Sequence, residues 1–168
     1  MDEQGVPSSV YTIKNFLPLI IIILIIVGLT AFLQLFHGWG IHEIMYDFMG
    51  LFFVVFSLFK IINIRKFAEA YSMYDIIAKR SWLYAYLYPF IELTLGIMYL
   101  TRFQLFFANL ITFVLMVIGS IGVGYELYQQ KEIVCACLGA VFKIPMTYVT
   151  LAEDVIMGLM ALYMILLA

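Results

Sequence analysis

The chain has 168 residues, 65% of them hydrophobic and 12% charged, with a mean hydropathy of +1.07 and a formal net charge of −2. An ordinary soluble domain is excluded, because roughly half apolar residues already satisfy its core. No basic patch with interleaved aromatics points to nucleic acid. A membrane-spanning helix takes about 20 mostly apolar residues, so this length predicts four or five such helices and no soluble module.

Residues 1–14 are a polar lead containing Pro7-Ser8-Ser9. The apolar run from Phe16 to Leu35 is longer than the ~7–15 residues of a signal-peptide core, and no small-x-small cleavage site follows it. The run therefore predicts a retained first helix, from about Asn15 to Leu35. Its Ile- and Leu-rich centre, Ile20 to Val27, suits lipid contact. His37-Gly38-Trp39-Gly40 ends the run, and Trp39, with His37 and His42, suits the membrane interface. A second helix is expected from Ile44 to Ile64, closing on Lys60, Arg65 and Lys66.

Residues 67–80 are too polar to span. Phe67, Tyr71, Tyr74 and Ala78 recur at helical spacing, with Glu69, Ser72, Asp75 and Lys79 elsewhere. That pattern predicts an amphipathic helix lying in the interface. A third spanning helix follows over Trp82–Leu100, with Pro89 as a kink and Glu92 near its middle. Arg102 marks a tight turn. A fourth helix runs from Phe103 to Tyr128, where Gly119, Gly122 and Gly124 allow close packing. A fifth runs from Pro145 to the end. Five helices place eight of the nine Lys and Arg side chains on one face and only Arg102 on the other. By the positive-inside rule the crowded face is cytoplasmic. That face carries the N-terminus, the 65–80 segment and the 129–144 loop. The localisation expected is a bacterial-type cytoplasmic (inner) membrane.

Two features could carry chemistry. Cys135-Ala136-Cys137-Leu138-Gly139 is a CxC motif in the 129–144 loop. Cysteines two residues apart stand about 200° apart on a helix, so they converge only in an extended or turn backbone, which Gly139 permits. A converged pair can chelate a soft metal such as Cu(I), cycle between dithiol and disulfide, or be two inert thiols. In the last helix Met146, Glu153, Met157, Met160 and Met164 fall on one narrow stripe, with Thr150 beside it. Thioethers and thiolates together form a Cu(I)-type ligand set, so Cys135, Cys137, Met146, Glu153 and Met157 are the candidate metal ligands. The plain alternative is that methionine packs irregular helix interfaces. Glu92, Glu153 and Asp154 lie within spanning segments. A carboxylate at mid-bilayer costs at least about 2.5–3.5 kcal/mol, which turns such residues inward toward a partner or a function. No motif of a soluble enzyme is present.

The order of several motifs resembles the MauE branch of the DoxX-like membrane proteins. They are Phe59-Lys60 at a helix end, Phe67-Ala68-Glu69-Ala70 with Tyr74, Pro89-Phe90-Ile91-Glu92-Leu93-Thr94-Leu95-Gly96, and Cys135-Ala136-Cys137-Leu138-Gly139. The resemblance covers residues 46–168 and leaves 15–45 as an additional N-terminal helix and outer loop. It implies an all-α, DoxX-like four-helix bundle with that extra helix and one interfacial helix. It further implies an accessory role in thiol-disulfide maturation of exported proteins, as in methylamine dehydrogenase maturation. Cys135, Cys137 and Glu92 become its functional residues. The family often has Cys-Gly-Cys-Phe-Gly preceded by Arg-Gly, where this chain has Ala136, Leu138 and Gln129-Gln130. The partners implied are the lipid bilayer and a thioredoxin-like or metal-binding protein, with homo-oligomerisation left open.

Overall fold

In a bilayer every backbone N–H and C=O must be satisfied within the protein, which leaves a chain of this composition little but helices. The computed structural model describes residues 13–129 and 148–167, with side chains from 17 to 129 and from 151 to 167. Among them are α1 (Ile13–His37), α2 (Ile41–Ile62), α3 (Ile64–Tyr71), α4 (Trp82–Leu100), α5 (Leu105–Tyr128) and α6 (Tyr148–Leu167), and no strand. Four helices, α1, α2, α4 and α5, are long and apolar enough to cross a membrane. At about 1.5 Å per residue, the 20 residues of α6 are about 30 Å long, also a bilayer's hydrocarbon thickness.

The most extensive pairings are α2 along α4 and α5 along α6, with α1 laid against α2. Exposed Leu17, Ile20, Ile21, Leu24 and Ile25 give α1 the lipid-facing surface its composition predicts, while Leu19 and Ile26 pack against Phe56. The main core joins Met49 and Phe53 of α2, Leu95 and Tyr99 of α4, Met116 of α5, and Met157, Ala161 and Met164 of α6.

Opposed glycines set the α2–α4 distance. A Cβ on Gly96 would stand 2.9 Å from the Val54 backbone nitrogen and 3.0 Å from the Gly50 carbonyl oxygen. A Cβ on Gly50 would meet Leu100 Cγ at 2.7 Å and the Gly96 carbonyl at 3.2 Å. Close helix approach through small residues is a membrane-packing device, and here it brings together the polar groups described below.

The 64–81 segment departs from the expected pattern. Its helix stops at Tyr71, and turns follow. The reason lies in Asp75, whose carboxylate accepts the Ile77 and Ala78 N–H groups at 2.9 and 2.7 Å. This local bonding competes with continued helix. Asp75, read as part of the polar face, is fully buried. Phe67, Tyr71, Tyr74 and Ala78 do form the apolar side, but they are buried in the bundle core rather than lying on lipid. A Cβ on Gly122 of α5 would stand 2.7 Å from the Tyr74 carbonyl oxygen, so that glycine lets this segment wedge against α5.

At the opposite end, Arg102 occupies the left-handed region at φ 57°. Its guanidinium donates to Glu43 at 2.7 Å and to Asp47 at 2.8 Å. Asp47 is fully buried, accepts from Gln34 of α1 at 2.8 Å, and lies 2.9 Å from His37 Nδ1. One carboxylate thus ties α1, α2 and the α4–α5 turn. Arg102→Met is expected to cost about 1–3 kcal/mol, the penalty for removing a partner of a buried acceptor. Arg102→Lys should fall between, because it keeps the charge and loses the two-pronged fork. Thermal unfolding of both variants in detergent checks the order.

Candidate functional site

Lys60 stands near the end of α2, where its sequence position suggests a cation reaching out of the membrane. It does the opposite. Lys60 is 7% and Glu92 4% exposed, and Lys60 Nζ donates to both Glu92 oxygens at 2.6 Å. The inward-facing carboxylate expected from the cost of a lipid-facing one is therefore present, and its partners are the Lys60 ammonium and the Tyr88 hydroxyl. The ammonium also lies 5.2 Å from the Tyr88 ring centre and 5.5 Å from that of Phe67.

Next to the pair is a cavity of about 40 Å³, large enough for water. Its wall draws on every helix except α1. Phe52, Phe56 and Lys60 come from α2, Phe67 and Tyr71 from α3, Tyr74 from the turn after it, and Tyr88 and Glu92 from α4. Gly119 and Val123 of α5 face Glu153 and Asp154 of α6 across the rest. Gly119 makes room for Asp154, since a Cβ there would meet its Oδ2 at 3.1 Å. Glu92 lies ten residues into α4, or about 15 Å along it, so the cavity sits within the depth of the bilayer. Burial pushes the Tyr71 phenol well above the usual phenol range, with the neighbouring Tyr88 and Asp75 adding to the shift. It is therefore a neutral hydroxyl at any ordinary pH.

A second ion pair marks the end of the bundle on this side. Lys79 donates to Glu126 of α5 at 2.6 Å, with Glu126 almost fully buried. The cavity, this pair, the C-terminus of α5 and the start of α6 thus share one end, opposite Arg102.

Of the residues singled out in the sequence, Glu92 and Glu153 meet at the cavity. Met157 and Met164 are buried in the apolar core, with Met160 packed against it. Cys135, Cys137 and Met146 lie outside the described residues. Among the described residues, no three or more His, Cys, Asp or Glu side chains group to hold a metal ion. Sequence reasoning missed Lys60 and the aromatic wall. The signal available was a lysine within the last turn of an apolar helix whose neighbour carries an intramembrane carboxylate.

The family described as Methylamine utilisation protein MauE matches residues 39–167. The chain belongs to the MauE family. No curated protein and no solved structure gives a match. The MauE match begins after α1, at Trp39, and takes in the Lys60–Glu92 pair, the whole cavity wall and the CxC motif. Helix α1 therefore precedes the MauE region, to which Gln34 and Asp47 bond it.

Proposed function

We propose that this MauE-family chain is an integral membrane accessory of methylamine utilisation that works by thiol-disulfide exchange through Cys135 and Cys137. The MauE match supports the accessory role. The observation that carries an active rather than a scaffolding role is the buried Lys60–Glu92 pair beside a water-sized cavity within the bilayer. Such a pair is costly to keep in a membrane and marks function by default. It stands at the end where α5 leaves and α6 enters, and the connection between them contains both cysteines.

In this reading the Cys137 thiolate attacks a disulfide sulfur of a thioredoxin-like partner, forming a mixed disulfide and releasing the partner's other sulfur as a thiolate. Cys135 then attacks Cys137. The chain is left with a Cys135–Cys137 disulfide, and the partner with two thiols. Two electrons pass to the partner with two protons. Glu92 and the water-sized cavity beside it provide a place inside the membrane where a proton can be held. The Lys and Arg asymmetry of the sequence, seven against one once the inward-turned Lys60 is set aside, supports a cytoplasmic place for this end, in a bacterial-type inner membrane.

Cys135→Ser is expected to accumulate a mixed disulfide through Cys137 that reductant reverses, seen on non-reducing gels. Cys137→Ser should accumulate none. Equal behaviour of the two variants, with no adduct from either, sinks the exchange reading. A membrane-impermeant thiol reagent that reaches the pair only from outside the cell would reverse the orientation. It would also place the thiols in a compartment where disulfides persist.

A further inference from the structure

The surroundings of Lys60 describe a recognition chemistry as well as an ion pair. An ammonium group stands about 5 Å from two ring faces, those of Tyr88 and Phe67, with a carboxylate beneath it. Ring faces with a carboxylate are the means by which proteins bind organic ammonium ions. Beyond the Lys60 head the same materials continue, because the wall includes the rings of Phe52, Tyr71 and Tyr74 and the carboxylates of Glu153 and Asp154. The Glu92 carboxylate accepts from Lys60 through both oxygens and from the Tyr88 hydroxyl, which still leaves about one of its roughly four acceptor sites.

We infer that the cavity is a binding site for a small primary alkylammonium ion. Its ammonium group is met by the carboxylates of Glu92 and Asp154, and its carbon lies against the tyrosine and phenylalanine rings. The volume of about 40 Å³ suits a ligand of one or two carbons. Lys60 is then both neighbour and competitor, since its own head is a tethered primary ammonium on the same rings. This inference goes beyond the thiol-exchange reading and does not depend on it.

The test is a titration of the purified full-length chain in detergent with labelled methylammonium. The expected result is saturable binding accompanied by a rise in the thermal midpoint. Tetramethylammonium, too large for the cavity, and potassium should give neither. Asp154→Asn should weaken binding about tenfold, the effect of losing one charged hydrogen bond of ~1.4 kcal/mol. Gly119→Ala, which narrows the same wall from α5, should weaken it as well and guards against a folding defect in the acidic variant. Lys60→Ala should bind methylammonium more tightly than the wild type and regain its lost thermal midpoint. The Cys135→Ser/Cys137→Ser double variant should bind like the wild type, which separates this test from that of thiol exchange. Absence of saturable binding to the folded wild type overturns the inference, even if Lys60→Ala is rescued, because the site would then be a product of truncation. Equal binding of potassium overturns it too, as does indifference to both Asp154→Asn and Gly119→Ala.

Discussion

Lys60→Met is expected to destabilise the protein by about 3–5 kcal/mol, the cost of leaving one member of a buried ion pair without the other. Lys60 Nζ is the donor to both oxygens of Glu92, and both residues are buried. Once the lysine is removed, the carboxylate must stay desolvated or take up a proton, and either outcome raises the energy of the folded state. The companion variant decides the cause. In Lys60→Met/Glu92→Leu both charges are gone and the volume is largely kept. Replacing a buried pair by apolar residues of similar size is often neutral or better, so the double variant should recover most of the loss. Reversible unfolding in mixed micelles measures all three proteins. A double variant as unstable as Lys60→Met would show that the loss comes from packing and not from the stranded charge. Activity is expected to separate from stability. A double variant that folds but no longer supports amine utilisation assigns the pair to function, because it is then dispensable for the fold.

The helices themselves were legible. Runs of apolar residues placed α2 at 44–64 against the observed Ile41–Ile62, and α4 at Trp82–Leu100 as observed. This works because the bilayer imposes length and composition on each span independently of the others. The direction of Lys60 was not legible. A positive-inside count takes each lysine by its position along the chain, and Lys60 is near a helix end. Whether it reaches outward or turns inward depends on how near α4 stands, which is a property of two distant stretches together. The same holds for Asp47, whose partners come from two other stretches, Gln34 and His37 from the end of α1 and Arg102 from the α4–α5 turn. In the 67–80 segment, helical spacing found the apolar side chains correctly, because burial selects them whatever the backbone does. It could not reveal that the Asp75 side chain ends the helical pattern by bonding its own turn. For the cysteines, the sequence remains the only guide to their chemistry.

Gly96→Ala connects the motif around Glu92 to this geometry. Glu92 and Gly96 are four residues apart and share one face of α4. The glycine lets the backbones of α2 and α4 touch, and the glutamate uses that approach to reach Lys60. The methyl of Gly96→Ala would stand 2.9 Å from the Val54 nitrogen and 3.0 Å from the Gly50 carbonyl oxygen, both backbone atoms of a packed helix. Neither can yield without moving α2, so the variant is expected to lose about 1–3 kcal/mol, the usual cost of overpacking. Gly50→Ala should cost less, because its contacts under 3.0 Å are all with the Leu100 side chain, whereas the Gly96 methyl also meets a backbone nitrogen below that distance. Gly28→Ala and Gly124→Ala meet nothing within 4 Å. In a helix these should gain up to about 0.5–1 kcal/mol from the better propensity of alanine. Unfolding midpoints in one detergent should therefore fall in the order Gly28→Ala and Gly124→Ala, then Gly50→Ala, then Gly96→Ala. The same displacement stretches the Lys60–Glu92 contact, so Gly96→Ala should lose function out of proportion to its fold, as a milder form of the charge variants. A Gly96→Ala protein as stable as the Gly124→Ala one would mean that α2 and α4 are held apart by something other than these two glycines.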